Sequence, residues 1–302
     1  MLVAKADFNS DILVRVCYNI NHERGGTVYS RVYVEIGNIC NMNCSFCHKT
    51  SRAPKRMSLG EFKTVLEKIK PHTEYVYYHL MGEPLTHPDL DAFLQTANQM
   101  GFKSIITTNG TLLAKNGQIL IERKVHKVSI SLHSFEGGDQ AVHQKYLQEA
   151  AEFAKSANSQ GIIVVFRLWN NGCDGGKNAE AIEFLKSQID GDWTENSKGL
   201  RIRNKLFLEY GDRFGWPDKD AEIQGDSVFC YGLRDHFGIL SNGTVVPCCL
   251  DSDGVINLGN IFEQDIDEIL NSERAQAIVK GFDGRTASEE LCRRCAYAQR
   301  FK

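Results

Sequence analysis

Apolar residues in the middle of the chain fall into two alternating patterns. Short runs dense in β-branched, aromatic and leucine residues predict strands at 31–36, 74–80, 103–107, 126–132, 162–168 and 200–208. Between them lie amphipathic stretches with a helical period. The clearest covers 58–69, where Leu59, Phe62, Val65, Leu66 and Ile69 share one face and Ser58 with Glu61 predicts a capping box. Further helices are predicted at 89–100, 117–123, 140–159 and 178–188. Six strand–helix units in series predict an α/β fold, a parallel sheet with right-handed crossovers that is either open or curled into a partial barrel.

The alternation stops near residue 210, where GDRFGWPDKDAEIQGDS reads as a connector. Beyond it, the apolar runs HFGIL and TVVP flank Ser241-Asn242-Gly243, a strong hairpin signal. A helix is predicted at 264–280, and Cys292-Arg-Arg-Cys295 lies near the end. The chain thus divides into an extension (1–29), an α/β core (30–210) and a small α+β unit (211–302). That last unit has a small core and several cysteines, so a metal centre would help to hold it together. No internal repeat or low-complexity tract is visible.

Charge changes the picture little. Thirty-five basic residues stand against 38 acidic ones, a net charge of −3, which gives no bulk attraction for nucleic acid. Arg52, Lys55 and Arg56 are too few to mark an RNA surface. The longest purely apolar run, Ile162 to Phe166, falls far short of the roughly 20 residues that span a bilayer, and the first residues do not form a secretory signal. A cytoplasmic protein with no membrane partner is expected. In that reducing compartment ten cysteines point to metal or redox chemistry before disulfides. Cys17 reads as a small buried hydrophobe.

Cys40-Asn-Met-Asn-Cys44-Ser-Phe-Cys47 directly follows the first predicted strand. Three thiolates can wrap one face of a compact cluster without completing four ligands. A [4Fe–4S] centre would keep one iron open, whereas a structural zinc would take His48 as its fourth ligand. This spacing resembles that of the radical S-adenosylmethionine (SAM) superfamily, and other motifs follow in that family's order. Tyr78-His-Leu-Met-Gly-Glu-Pro84 is similar to its GGEP motif, with Met81 in place of the first glycine. Thr107-Thr-Asn-Gly-Thr111 ends the third strand as in many members.

The resemblance covers about residues 30–210 and implies a partial (β/α)6 barrel. It implies a [4Fe–4S] cluster on Cys40, Cys44 and Cys47, with SAM on the open iron. Backbone around Met81, Gly82 and Glu83 would meet the SAM amino group, although the Glu83 side chain can equally hold a turn. Asn109 belongs to the same cofactor-binding set; Ser131 matches the ribose contact and Arg167 the partner of the SAM carboxylate. A guanidinium fork suits that carboxylate.

The later cysteines resemble the SPASM/Twitch extension of the same family. Cys230, a gap of twelve residues, Gly243, four residues and Cys248 match its opening, and Cys292 and Cys295 complete four. No cysteine follows, so the shorter Twitch form with one auxiliary [4Fe–4S] cluster is expected. Spacing alone also allows a four-cysteine zinc ribbon, and Cys249 can replace Cys248 in either case.

The resemblance implies reductive cleavage of SAM to a 5′-deoxyadenosyl radical. That radical takes a hydrogen atom from substrate, the auxiliary cluster accepts an electron, and a donor such as flavodoxin or ferredoxin supplies the first one. Period-two alternation puts Ser129, Ser131 and His133 on one face and Tyr77, His79 and Met81 on another. His79 and His133 are therefore candidates to hold or deprotonate substrate, or simply to satisfy local hydrogen bonds. Cys173 lies in NNGCDGG, just after the Arg167 strand, on the side where α/β active sites open; Asp174 and Tyr210 are further candidates.

Three function classes follow. One is an oxidoreductase acting on a small molecule, in which the chain resembles aminocyclitol dehydrogenases of the Twitch type. A second is a peptide or protein maturase (cross-linking, epimerisation or formylglycine formation), although only about 30 residues precede the first strand, too few for the leader-binding domain often fused there. The third is a non-catalytic metal module, which leaves the ordered strand-end motifs unexplained.

Overall fold

The computed structural model describes residues 28–135 and 139–301, so Cys17 and almost all of the 1–29 extension lie outside the described residues. The units are β1 (Arg31–Val34), α1 (Leu59–Ile69), β2 (Tyr75–Tyr77), α2 (Leu90–Gln99) and β3 (Lys103–Thr108). Next come α3 (Leu113–Asn116), α4 (Gln118–Glu122), β4 (Lys127–Ser131), α5 (Gln140–Ser159), β5 (Ile163–Asn171) and α6 (Lys177–Gln188). The capping box forms as its residues dictate: the Ser58 hydroxyl accepts from Glu61 N, and Glu61 accepts from Ser58 N. Phe62, Val65, Leu66 and Ile69 of α1 are completely buried against the sheet, each contributing about 1.5–3 kcal/mol. Phe62 stacks on Phe93 of α2 with ring centroids 4.5 Å apart.

The predicted strand at 200–208 is two strands. β7 (Gly199–Arg203) turns at Asn204-Lys205 and returns as β8 (Leu206–Asp212), with Arg203 opposite Leu206. Lys205 sits at φ 60°, a turn conformation that an apolar count does not register. A short β6 (Thr194–Asn196) precedes them. β8, running two residues past the expected boundary at 210, is the sixth parallel strand.

The remaining elements are β9 (His236–Ile239), β10 (Thr244–Val246), β11 (Gly259–Asn260), α7 (Ile266–Leu270), α8 (Glu273–Asp283) and α9 (Glu290–Arg293). The hairpin predicted around Asn242-Gly243 is β9–β10; Gly243 has φ +89°, and a Cβ there would lie 2.4 Å from Asn260 Oδ1. The single helix expected at 264–280 breaks at Asn271, because Ser272 caps a new helix by accepting from Ala275 N.

All strands join one sheet in the order β11-β10-β9-β1-β2-β3-β4-β5-β8-β7-β6, with β9 to β8 parallel throughout. β9 pairs along the whole of β1, from Arg31 opposite His236 to Val34 opposite Ile239. The small C-terminal unit therefore extends the core sheet. Tyr33 on β1 and Glu209 on β8 line the same cavity, although five strand spacings separate these strands, about 24 Å in a flat sheet. The parallel sheet is curled into a partial barrel. Among the described residues no helix is long and apolar enough to cross a membrane.

Candidate active site

The loop after β1 carries Cys40, which is exposed, and Cys44 and Cys47, which are half-buried. It is held against the C-terminal ends of the neighbouring strands. Asn109, just past β3, donates from Nδ2 to Asn41 Oδ1 at 3.0 Å and lies 3.8 Å from Cys40 Sγ. Cys44 Sγ lies 3.5 Å from the Ser134 carbonyl beyond β4. Glu83 uses both oxygens on backbone, accepting from Leu85 N at 3.1 Å and Asn109 N at 2.7 Å. Burial pushes its carboxyl up to about 7. Its side chain thus ties the turn after β2 to the turn after β3. Gly82 has φ +79°, and a Cβ there would lie 2.3 Å from the Gly37 carbonyl oxygen, so only glycine fits between the two loops.

Under this loop sits Glu35, fully buried at the end of β1. Arg52 Nη2 donates to its two oxygens at 2.8 and 2.7 Å, Ser241 donates from N and Oγ at 3.1 and 2.8 Å, and Met81 N donates at 3.3 Å. Arg52 also donates from Nε to the Ser252 carbonyl at 2.8 Å. One carboxylate therefore joins the segment after the cysteine loop, the segment after β2 and the C-terminal hairpin. Buried ion pairs hold only when hydrogen bonds satisfy every lone pair, and here they do.

Inside the curl, four buried polar atoms have no hydrogen-bond partner among the described residues: Thr107 Oγ1, Ser129 Oγ, Arg167 Nε and His79 Nδ1. Thr107 and Ser129 face each other across β3 and β4, and Ser131, also buried, is opposite Arg167 across β4 and β5. β2 ends at Tyr77, so His79 and Met81 stand on the turn beyond it. His79 packs edge-on to Tyr33, and burial, aided by Arg167, pushes its imidazole down to about 3. His133 leaves the expected alternation because Leu132–Ser134 is a 3-10 turn. Its Nδ1 lies 3.0 Å from the Arg167 carbonyl and 3.3 Å from Trp169 N, so β5 backbone occupies it. Cys173 is exposed and bonds from N to the Asn170 carbonyl at 2.9 Å, away from both interior cavities.

The later cysteines open onto a cavity of about 280 Å³ that continues into the curl. Cys230, Cys248, Cys249, Cys292 and Cys295 line one side; Tyr33, Tyr77, His79 and Arg167 line the other. Burial pushes the Cys230 thiol up to about 11 and raises those of Cys248 and Cys292, with neighbouring thiols of the set adding to the effect. Such thiols ionise only against compensating positive charge, which a metal centre supplies. Cys249 adjoins Tyr33 and Tyr77, whereas Cys230, Cys292 and Cys295 pack on the main core. Among the described residues no three His, Cys, Asp or Glu side chains converge on a single-ion point; the sulfurs surround a space instead. His48 turns away, stacked on Trp216 and 3.6 Å from Asp218 Oδ2. Soft thiolate donors around a space fit iron–sulfur clusters, and the unpartnered hydroxyls and guanidinium inside the curl fit a polar cofactor.

Sequence reasoning missed Glu35 and Arg52, although a lone acid closing the apolar run VYVEI was a visible signal. It also missed Lys127, which the Ser129–Ser131 alternation reaches when extended back by two.

Residues 34–170 match the model of the Radical SAM superfamily, and residues 230–296 match the SPASM model, an iron–sulfur cluster-binding domain. The S-adenosyl-L-methionine-dependent 2-deoxy-scyllo-inosamine dehydrogenase of Niallia circulans is 23% identical, over 89% of this chain and 93% of that protein. A probable GTP 3′,8-cyclase of Methanothermobacter thermautotrophicus is also 23% identical, over 78% of this chain and 89% of its own length. Among solved structures, BtrN in complex with AdoMet and 2-DOIA superposes with a TM-score of 0.57 at 19% identity, covering 89% of this chain and 93% of BtrN. Streptococcus suis SuiB bound to precursor peptide SuiA gives 0.61 at 16% identity, covering 99% of this chain and 78% of SuiB. The chain belongs to the radical SAM superfamily, enzymes whose cofactors are SAM and iron–sulfur clusters, and it carries a C-terminal SPASM domain.

Proposed function

We propose that this radical SAM enzyme is an oxidoreductase that dehydrogenates a small molecule held between two [4Fe–4S] sites. The observation that carries the reading is the shared cavity: the auxiliary cysteines and the interior face of the barrel line one space. In this reading Cys40, Cys44 and Cys47 hold the SAM-binding cluster and Cys230, Cys248, Cys292 and Cys295 hold the auxiliary one. Backbone at residues 81–83, with Asn109, Ser131 and Arg167, frames SAM. Bound there, these groups supply one-electron chemistry that removes a hydrogen atom from an unactivated carbon.

The chain's own residues do the rest. Tyr33, Tyr77 and Trp169 wall the cavity against water. His79 is neutral at working pH and has an unpartnered, buried Nδ1 on this cavity, so it can hydrogen-bond and orient a substrate hydroxyl. Four protein ligands leave the auxiliary site no open position, which suits electron transfer and not substrate ligation. The Niallia circulans dehydrogenase, similar over most of its length, supports the oxidative outcome. A flavodoxin or ferredoxin would supply the reducing electron, and we place the protein in the cytoplasm with such carriers.

A peptide substrate is the second reading. The margin strand β6 has all three residues exposed, and Glu195 and Asn196 on it also line the larger interior cavity. A peptide could add there as a further strand.

Anaerobic iron and sulfide counts test the arrangement. Wild type is expected to hold about eight irons and the Cys40→Ala/Cys44→Ala/Cys47→Ala variant about four. Cys295→Ala should still release 5′-deoxyadenosine from SAM while losing net substrate oxidation. A triple variant without iron, or with zinc, would refute the electron-acceptor role.

A further inference from the structure

Lys127 opens β4 on the interior face, at the end of the sheet opposite the cofactor loops. Four residue steps, about 13 Å of strand, separate it from Ser131, so it lies beyond the segments that frame SAM. It is half-buried and lines a cavity of about 780 Å³. Among the described residues its ammonium has neither a hydrogen-bond acceptor nor an ion-pair partner. Among the described residues the Tyr77 hydroxyl on the same cavity bonds no protein group either.

No contact ion pair among the described residues satisfies Lys127 in this space. Arg31 is already paired with Asp235 at 2.9 Å. Glu195, Lys198 and Arg300 stand at the mouth, and the last is occupied with the Asp212 carbonyl. Arg167 is taken by SAM in the reading above, and Lys127 then faces one carboxylate, Glu209, with which it makes no ion-pair contact among the described residues. A partly desolvated ammonium without a partner is costly, and a ligand anion removes the cost.

We infer that the lower half of the barrel cavity binds an anionic group of the substrate, phosphate or carboxylate, on Lys127 and the Tyr77 hydroxyl. The inference rests on the small-molecule reading above. The substrate is then a molecule whose anionic end points away from the cofactors while its reacting carbon lies nearer Ser131.

The test uses holoenzyme with both clusters and SAM bound. Phosphorus NMR line broadening of inorganic phosphate and carbon NMR broadening of labelled acetate are titrated for wild type, Lys127→Met and Lys127→Arg. Saturable binding of either anion is expected, weakened at least about tenfold in Lys127→Met and within about threefold of wild type in Lys127→Arg. Binding of phosphate alone or acetate alone identifies the source of the charge. Iron content and SAM affinity should stay unchanged in Lys127→Met, which shows that the variant folds with its cofactor sites intact. Equal binding in wild type and Lys127→Met, or no saturable binding at all, overturns the inference. Release of 5′-deoxyadenosine, assayed in parallel, reports separately on the radical SAM reading.

Discussion

The two cysteine sets are built by opposite means. Cys40, Cys44 and Cys47 come from eight consecutive residues on a loop, one of them exposed, and their spacing alone defines them. Cys230, Cys248, Cys292 and Cys295 come from three separate segments and meet only because β9, β10 and α9 pack together. A distributed set binds its metal with the packing of a whole unit, so its ligation is also folding energy.

That difference is open to direct attack. Cys230→Ala should cost about 3 kcal/mol and lower the anaerobic Tm by about 6–12 °C, whereas Cys44→Ala should lose its irons with a shift under about 3 °C. Calorimetry on both variants checks this. Equal shifts would mean that the first loop is as structural as the second.

Glu35 lies where the two regions touch, and Glu35→Gln leaves Arg52 charged and largely desolvated. A loss of about 3–5 kcal/mol in urea unfolding is expected, with most of it recovered in Glu35→Gln/Arg52→Met. A double variant no better than the single would show that Arg52 is not the stranded partner.

The smallest effect concerns His79, on the cavity between the sets. Its ordinary value of 6.5 is pushed down to about 3 by burial, so the unfolded chain takes up a proton below about pH 6.5 that the native state refuses. Stability should therefore fall as pH drops below about 6.5. His79→Gln should narrow the difference in urea midpoint between pH 7.5 and 5.5. An unchanged difference would assign the acid sensitivity to other groups.

Much of this could be read before any coordinates. The helix at 58–69 announced itself through Ser58, Glu61 and a five-residue apolar stripe; the structure begins it at Leu59, which stays exposed while the other four are buried. The first cysteine loop was legible because its three cysteines are neighbours in sequence. The hairpin at 199–212 was not, since two apolar strands joined by Asn204-Lys205 look like one long run. Nor was the parallel pairing of β9 with β1, which no local pattern encodes. His133 misled for a different reason: strand alternation was extended one turn too far, into the 3-10 turn at Leu132–Ser134. Interior charges such as Glu35 and Lys127 stayed hidden because a charged residue in an apolar strand reads as an exposed edge until the opposing face is known.

The junction at Glu35 also sets a timetable for the cell. Its partner Ser241 lies 206 residues further along the chain, so at about 5–20 residues per second roughly 10–40 s pass on the ribosome before the two can meet. During that interval the β1 edge is unpaired and the floor of the first cysteine loop is missing. Nascent chains should therefore present an open edge of β1 to other strands until the C-terminal unit emerges.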